Sequence, residues 1–243
     1  MSIKKIKAPG KTVLIIGDLH APYHHKDTFR FLEAVKNKYL NQKSIIISIG
    51  DEVDNHAISF HESIAELPSA GHELEKAIQT MQQLRGLFPR LILLNSNHGS
   101  LVFRRLKSAG LPVKIAKDLA TLYGCPKWKW YDELILSTNN LLATYLCHGK
   151  KSGYNALAKE VGLNAIQGHY HSKFEITYFR TPTYTRYNAF CGCLIDYESM
   201  AFEYGKNHLP KPVLGVLLIK KSGTPKLIKM DLNEEGRWTG KLI

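Results

Sequence analysis

The chain has 243 residues, 44% apolar and 22% charged, the balance of a soluble globular protein and enough to bury the core of a single domain over 1–243. Its formal net charge of +12 is concentrated: Gly99 to Tyr131 holds seven Lys/Arg against one acid, and Gly205 to Met230 holds six Lys and no acid. Such clustering favours anionic partners, a nucleotide substrate or nucleic acid, although a basic surface kept for solubility is the plain alternative. The start MSIKKIKAPGK has no apolar run of its own, and TVLIIG is far too short to span a bilayer. A signal peptide and a membrane partner are therefore not expected, and the reading is a cytoplasmic protein. Four cysteines, two of them in CGC (Cys191, Cys193), match neither a zinc ribbon nor a redox CxxC and read as reduced thiols. The oligomeric state is not legible.

In chain order, KTVLIIGD reads as a buried strand, and DTFRFLEAVKNKYL as a helix with Phe29, Leu32, Val35 and Tyr39 on one face. SIIISIGD is the next strand. A long helix from about His72 carries Leu74, Ala77, Ile78, Met81 and Leu84 at helical spacing and is closed by Phe88-Pro89. RLILLN is a third strand, and SLVFRRLKSAG a helix ended by Gly110. The second half is richer in strands: ELILS, NLLATYLCHG, NAIQG, FEITYFR, TYTRYNAF, VLGVLLIK and PKLIKM, with a short helix over 154–160. Alternating β and α followed by clustered strands predicts an α/β fold: a β-sandwich of two sheets flanked by α-helices, the second sheet largely antiparallel.

Five apolar runs end in hard or borderline metal ligands. They are Asp18 and His20 in LIIGDLH, Asp51 and Asp54 in IISIGDEVD, Asn97 and His98 in LILLNSNH, His148 in LATYLCHG, and His169 and His171 in AIQGHYH. Taken singly each is weak, because a D-x-H after a strand is often a turn and a lone His is usually structural. Together they place five of the eleven histidines at strand ends, where ligands of α/β folds collect. Carboxylate, imidazole and amide oxygen without thiolate suit two divalent ions, Mn, Fe, Co, Ni or Zn. Alternate residues of an extended chain face the same way, so D-x-H and H-x-H each aim two donors at one side. Such a pair of ions generates hydroxide at neutral pH and clamps both oxygens of an in-line displacement at phosphorus.

GDLH, GDEVD, NSNHG, CHG and GHYH, in this order between Gly17 and His171, resemble the five blocks of the calcineurin-like metallophosphoesterase superfamily. The later GCLIDYESMAFEYGKN is similar to small phage-encoded members, and a phage-type 5'-deoxyribonucleotidase is the close relative this suggests; the location would then be host cytoplasm. The resemblance implies the metallophosphoesterase-type sandwich of two mixed sheets. It implies that Asp18, His20, Asp51 and His171 hold one metal, and that Asp51 bridges to a second completed by Asn97, His148 and His169, manganese being favoured. His98 would be the catalytic neighbour of the phosphate, and Asp54 would orient a ligand or His98. Two departures stand out. Gly99 lies where the family has Asp or Glu, through either a backbone need or the removal of a charge beside the phosphate. Asn55-His56 replaces the Arg-Gly of Ser/Thr protein phosphatases, which argues against that branch.

The expected activity is a dinuclear-metal phosphomonoesterase acting on (deoxy)nucleoside 5'-monophosphates. A DNA or RNA phosphodiesterase is the alternative, favoured by the clustered charge, and a non-catalytic binding module the third reading. Gly99 to Tyr131 is the candidate substrate wall, with Arg104 and Arg105 near the phosphate and Lys127-Trp128-Lys129-Trp130-Tyr131 offering rings for a base; core tryptophans and solvated lysines are the bland counterpart. His24 and His25 are read as surface-loop residues, an approach to substrate being the alternative, and TYFRTPTYTRY as a hairpin.

Overall fold

A strand buried on both faces needs an apolar residue at every position, and VLII at β2 (Val13–Ile16) satisfies that condition. In the computed structural model, which describes residues 3–60, 66–138, 143–149, 151–199 and 209–242, β2 is central to one of two six-stranded sheets. That sheet also holds β3 (Ile45–Ser48), β4 (Ile92–Leu94), β5 (Lys129–Tyr131), β11 (Gly215–Ile219) and β12 (Pro225–Lys229), in the order β12-β11-β2-β3-β4-β5. Pairing from β2 through β5 is parallel; β11 runs antiparallel to both β2 and β12. The other sheet has the order β1-β6-β7-β8-β10-β9. It is built from β1 (Ile3–Lys7), β6 (Glu133–Ser137), β7 (Ala143–Cys147), β8 (Asn164–Gln167), β9 (Phe174–Arg180) and β10 (Thr185–Cys191).

Alternation along each strand divides the core into layers. Leu14 and Ile16 of β2, with Val216 and Leu218 of β11, pack beneath α1 (Thr28–Tyr39) and α2 (Ala70–Leu87), through Phe31, Leu32 and Val35 and through Ala77, Met81 and Leu84. Val13 and Ile15 face the other way and meet Ile47, Leu134, Leu136, Leu146, Ile166 and Ala189 between the sheets. On the far side, α5 (Leu157–Val161) places Leu157 and Ala158 against Tyr145, Cys147 and Ala165. The order is helix, sheet, sheet, helix, and each buried aliphatic side chain stabilises it by about 1.5–3 kcal/mol of transfer free energy. The extended backbone that Pro89 demands of its predecessor ends α2 at Phe88.

The second sheet is mixed rather than largely antiparallel: β1–β6, β7–β8 and β8–β10 are parallel, and only β6–β7 and β9–β10 are antiparallel. The α5 crossover imposes the parallel β7–β8 pair, since a helix between two strands returns the chain to its starting edge. Two strands, β1 and β5, and the short helix α4 (Leu119–Leu122) were not foreseen. The start of the expected strand at Asn140–Leu142, the block from Met200 to Asn207, and that part of the second basic segment lie outside the described residues. All four cysteines are free and buried, and among the described residues no helix is long and apolar enough to cross a membrane.

Candidate metal centre

Five strand ends deliver the predicted donors to one place. Asp18, Asp51 and Asn97 follow β2, β3 and β4, which are parallel neighbours in one sheet; His148 and His169 follow β7 and β8, parallel neighbours in the other. Both sheets thus present their carboxyl ends to a common cleft. The backbone there is strained to suit. Asp18, His20, Asp51 and His169 have φ of 46, 52, 48 and 79°, a left-handed conformation costing about 1–2 kcal/mol each for a residue with a Cβ. Among the described non-glycine residues only Asn55 and Asn155 share it, so strain is concentrated at the donors. Gly50 enters the same turn because a Cβ would meet His148 Nδ1 at 2.6 Å.

Donor atoms of Asp18, His20, Asp51 and His171 lie within 4.8 Å of one another, and so do those of Asp51, His148 and His169. Asp51 belongs to both groups. His20 Nε2 and His171 Nε2 are 3.1 Å apart, His171 Nε2 is 3.4 Å from Asp18 Oδ1, and His20 Nε2 is 3.6 Å from Asp51 Oδ2. On the other side, His148 Nε2 lies 3.1 Å from Asp51 Oδ2 and 2.8 Å from Asn97 Oδ1. All seven predicted donors are therefore brought together.

The surroundings set each donor's orientation. His20 Nδ1 pairs with Asp54 Oδ2 at 2.7 Å, which assigns the proton to Nδ1 and leaves Nε2 with a lone pair facing the cluster; the His148 ring is oriented by Nδ1, which donates to the Ile49 carbonyl at 2.9 Å. The His169 amide donates to both oxygens of Asp18 at 2.9 and 3.1 Å, and the His98 amide to Asp51 Oδ1 at 3.1 Å. Asp18, His20, Asp51 and Asp54 are at most 1% exposed. Burial depresses the His20 pKa and favours a neutral imidazole. Burial would do the same to His148, but the Asp51 charge and hydrogen bond outweigh it and push this histidine up to about 9. Burial also opposes the charge on His171, where the Asp18 hydrogen bond and charge prevail and raise the pKa. A buried set of carboxylates that draws protons onto its own imidazoles is short of positive charge. Hard oxygen and imidazole donors in this number fit divalent cations.

His98 stands beside the cluster. Its Nδ1 is 2.6 Å from the Asp54 carbonyl, its ring meets that of His20 edge-on at 4.6 Å, and its side chain keeps 23% exposure. With Nδ1–H donating to the carbonyl, Nε2 is the atom left to exchange a proton. Asp54 thus orients both a donor histidine, through its carboxylate, and His98, through its backbone.

The expected substrate wall is redistributed. Arg105 directs Nε to the Ile58 carbonyl at 2.6 Å and Nη2 to the Ser59 carbonyl, so it fastens the 3-10 turn His56–Ile58 to α3 (Leu101–Ser108). Arg104 is exposed, with Nη1 3.5 Å from the Asn97 carbonyl. Trp128 is a core residue whose indole donates to the Phe88 carbonyl, and the half-buried Trp130 donates to Glu52; neither is an open platform. The exposed ring nearby is Phe60, 48% accessible, with the Arg104 and Arg105 guanidiniums 5.1 and 4.2 Å from its centroid. It was not foreseen, because nothing in AISFHES sets one phenylalanine apart. His25 lies in the loop between β2 and α1 but is buried rather than on the surface: Nδ1 accepts the Asp27 amide and Nε2 pairs with the Gly236 carbonyl.

Neither a family model nor a curated protein matches this chain. Solved structures do resemble it; one of them overlaps 91% of it, and 99% of its own length, at 10% identity and a TM-score of 0.46, a likeness too slight to support a statement about chemistry.

Proposed function

We propose that the protein is a phosphoester hydrolase dependent on two divalent metal ions, and that it removes the phosphate from (deoxy)nucleoside 5'-monophosphates. The observation that carries this reading is the sharing of Asp51 between two donor groups, with His98 beside both through Asp51 and His20 yet outside them, grouped only with His20 and Asp54. Asp18, His20, Asp51 and His171 would hold one ion, and Asp51, Asn97, His148 and His169 the other. Bound there, the ions supply Lewis acidity toward the phosphoryl oxygens and make water a competent nucleophile at neutral pH. The chain's own part is to hold the donors in place and to move a proton. His98 Nε2 gives that proton to the leaving oxygen, its ring kept in one orientation by the Asp54 carbonyl. Arg104 approaches the phosphate from the α3 side, and Phe60 offers a face on which a base stacks.

Clustered basic charge on α3 and the segment after it favours a second reading, cleavage of a nucleic-acid chain. Metal analysis and one assay panel separate the two. The purified protein should carry or take up two equivalents of Mn²⁺ and release phosphate from 5'-dNMPs faster than it cleaves bis-p-nitrophenyl phosphate or single-stranded DNA. DNA cleavage that weakens steeply with salt would transfer the assignment to a nuclease, and fewer than two bound ions would defeat both.

A further inference from the structure

Gly99 follows His98, and its backbone lies outside the left-handed region. No conformational need therefore excludes a side chain. Space does. A Cβ at this position would sit 3.1 Å from Ser96 Oγ, 3.3 Å from Glu52 Oε1 and 3.7 Å from Glu52 Cδ. Glu52 is 1% exposed and directly follows Asp51. Its Oε1 accepts the Trp130 indole proton at 2.9 Å, and its Oε2 has no hydrogen-bond partner among the described residues. A bare carboxyl oxygen in the interior is costly, and an apolar side chain of similar volume would avoid the cost.

The neighbours indicate what the carboxyl supports. Ser96 Oγ accepts the amides of Asp51 at 2.9 Å and Gly99 at 3.2 Å, tying the two loops that carry Asp51 and Asn97. The same loops are joined by the His98 amide to Asp51 Oδ1 and by Asn55 Nδ2 to the His98 carbonyl. Glu52 lies under this seam, held from β5 by Trp130. We propose that Glu52 is a positioning residue: its buried carboxyl forms a wedge between Trp130 and the Cα of Gly99 that sets where Asn97 and His98 stand, and position 99 is glycine because the wedge fills the space of its Cβ. The absent carboxylate at 99 and the buried one at 52 are then two sides of a single packing solution.

The proposal rests on Asn97 and His98 belonging to the metal centre, and its test has an arm that needs neither metal nor activity. In the full-length metal-free protein, Gly99→Ala should lower the folding equilibrium constant about tenfold through overpacking, and Gly99→Asp should lower it further by setting two carboxyls together. In a Glu52→Asp background, where the carboxyl is drawn back by one methylene, the Gly99→Ala loss should shrink by more than half, the remainder being the contact with Ser96 Oγ. Equal Gly99→Ala losses in the two backgrounds would overturn the wedge. The second arm is Mn²⁺ affinity by calorimetry, with the Trp130 indole N–H resonance followed in parallel. Glu52→Ala should shift that resonance and weaken Mn²⁺ binding about tenfold or more, the range for losing support behind a ligand; Glu52→Gln, which keeps the volume and the acceptor, should restore both. Wild-type affinity in Glu52→Ala, or a Glu52→Gln variant as impaired as Glu52→Ala, would refute the positioning role. Should Glu52→Ala not fold, the Glu52→Asp and Gly99→Ala cycle decides alone. Failure of the wild-type protein to bind Mn²⁺ would strike the functional reading, while the metal-free coupling would stand or fall separately.

Discussion

At the scale of single residues, the proposed function gives His98 a part in the chemistry and none in metal binding. Because its Nδ1 is engaged by a backbone carbonyl and its Nε2 is assigned to no ion, His98→Ala should leave the Mn²⁺ stoichiometry at two and cut kcat by roughly 10²–10⁴. The deficit should shrink for a p-nitrophenyl ester, whose leaving group needs little protonation; an equal deficit on both esters would make His98 a charge stabiliser instead. Phe60→Ala should raise KM for a nucleoside monophosphate by about tenfold, stacking being worth roughly 1–3 kcal/mol per base, and leave glycerol phosphate untouched. A parallel rise for both substrates would remove the ring from the base site. The seven donors were legible because each lies within a few residues past an apolar run, where a polar side chain has little structural purpose. Glu52, Ser96 and Phe60 were not, because their roles depend on residues that the fold brings from distant positions, such as Trp130 onto Glu52 and Arg105 onto Phe60.

Among the elements, the N-terminus of α1 shows a charged residue doing something other than capping. Asp27 occupies the N-cap position without a side-chain cap bond. Its carboxylate instead receives Arg237 through Nε at 2.8 Å and Nη2 at 2.7 Å, together with the Trp238 amide at 3.0 Å. Trp238 in turn packs edge-on against Phe31. The Arg237 hydrogen bonds hold the Asp27 carboxyl well below the usual carboxylate range. A depressed folded-state pKa means that this contribution is complete above the unfolded value of about 3.9 and is lost as pH falls from there toward the folded value. Asp27→Asn should therefore lower Tm by a few degrees at pH 7, and the difference from wild type should narrow below about pH 4. A difference that stays constant down to pH 2 would mean that the charge is not what matters. Sequence patterning found the long helices and the buried strands, yet missed β1 and β5. IKKIK is an edge strand whose lysines face water and so shows no apolar run; KWY is three residues long and reads as a basic aromatic stretch.

For the molecule as a whole, the donors come from both sheets, so an ion bound among them ties one sheet to the other. Ligand binding that favours only the folded state contributes about 2.7 kcal/mol per ion at a free concentration 100-fold above Kd, or roughly 5–10 °C in Tm for a chain of this size. Calorimetric scans should show one transition that rises with Mn²⁺ and falls back with a chelator, and Asp51→Asn, which removes the charge both groups share, should abolish the shift together with turnover. An Mn²⁺-insensitive Tm in the wild type would deny the link between the sheets. The two-sheet sandwich was readable from the late clustering of strands. Strand direction in the second sheet was not, because it depends on which connections cross over and which turn back, and hydrophobic patterning carries no record of that.

The position of β2 also bears on how the chain is made. One edge of this strand pairs with β3, synthesised soon afterwards, and the other with β11, far along the chain, in the register Ile15↔Leu217. During translation the apolar segment VLII therefore waits with an open edge until β11 has emerged, and an open apolar edge invites pairing with other chains. Nascent chains should depend on protection by holding factors throughout that interval, and a version stopped at Pro212 should aggregate on release. A soluble, monomeric product of that length would show that β2 tolerates an exposed edge.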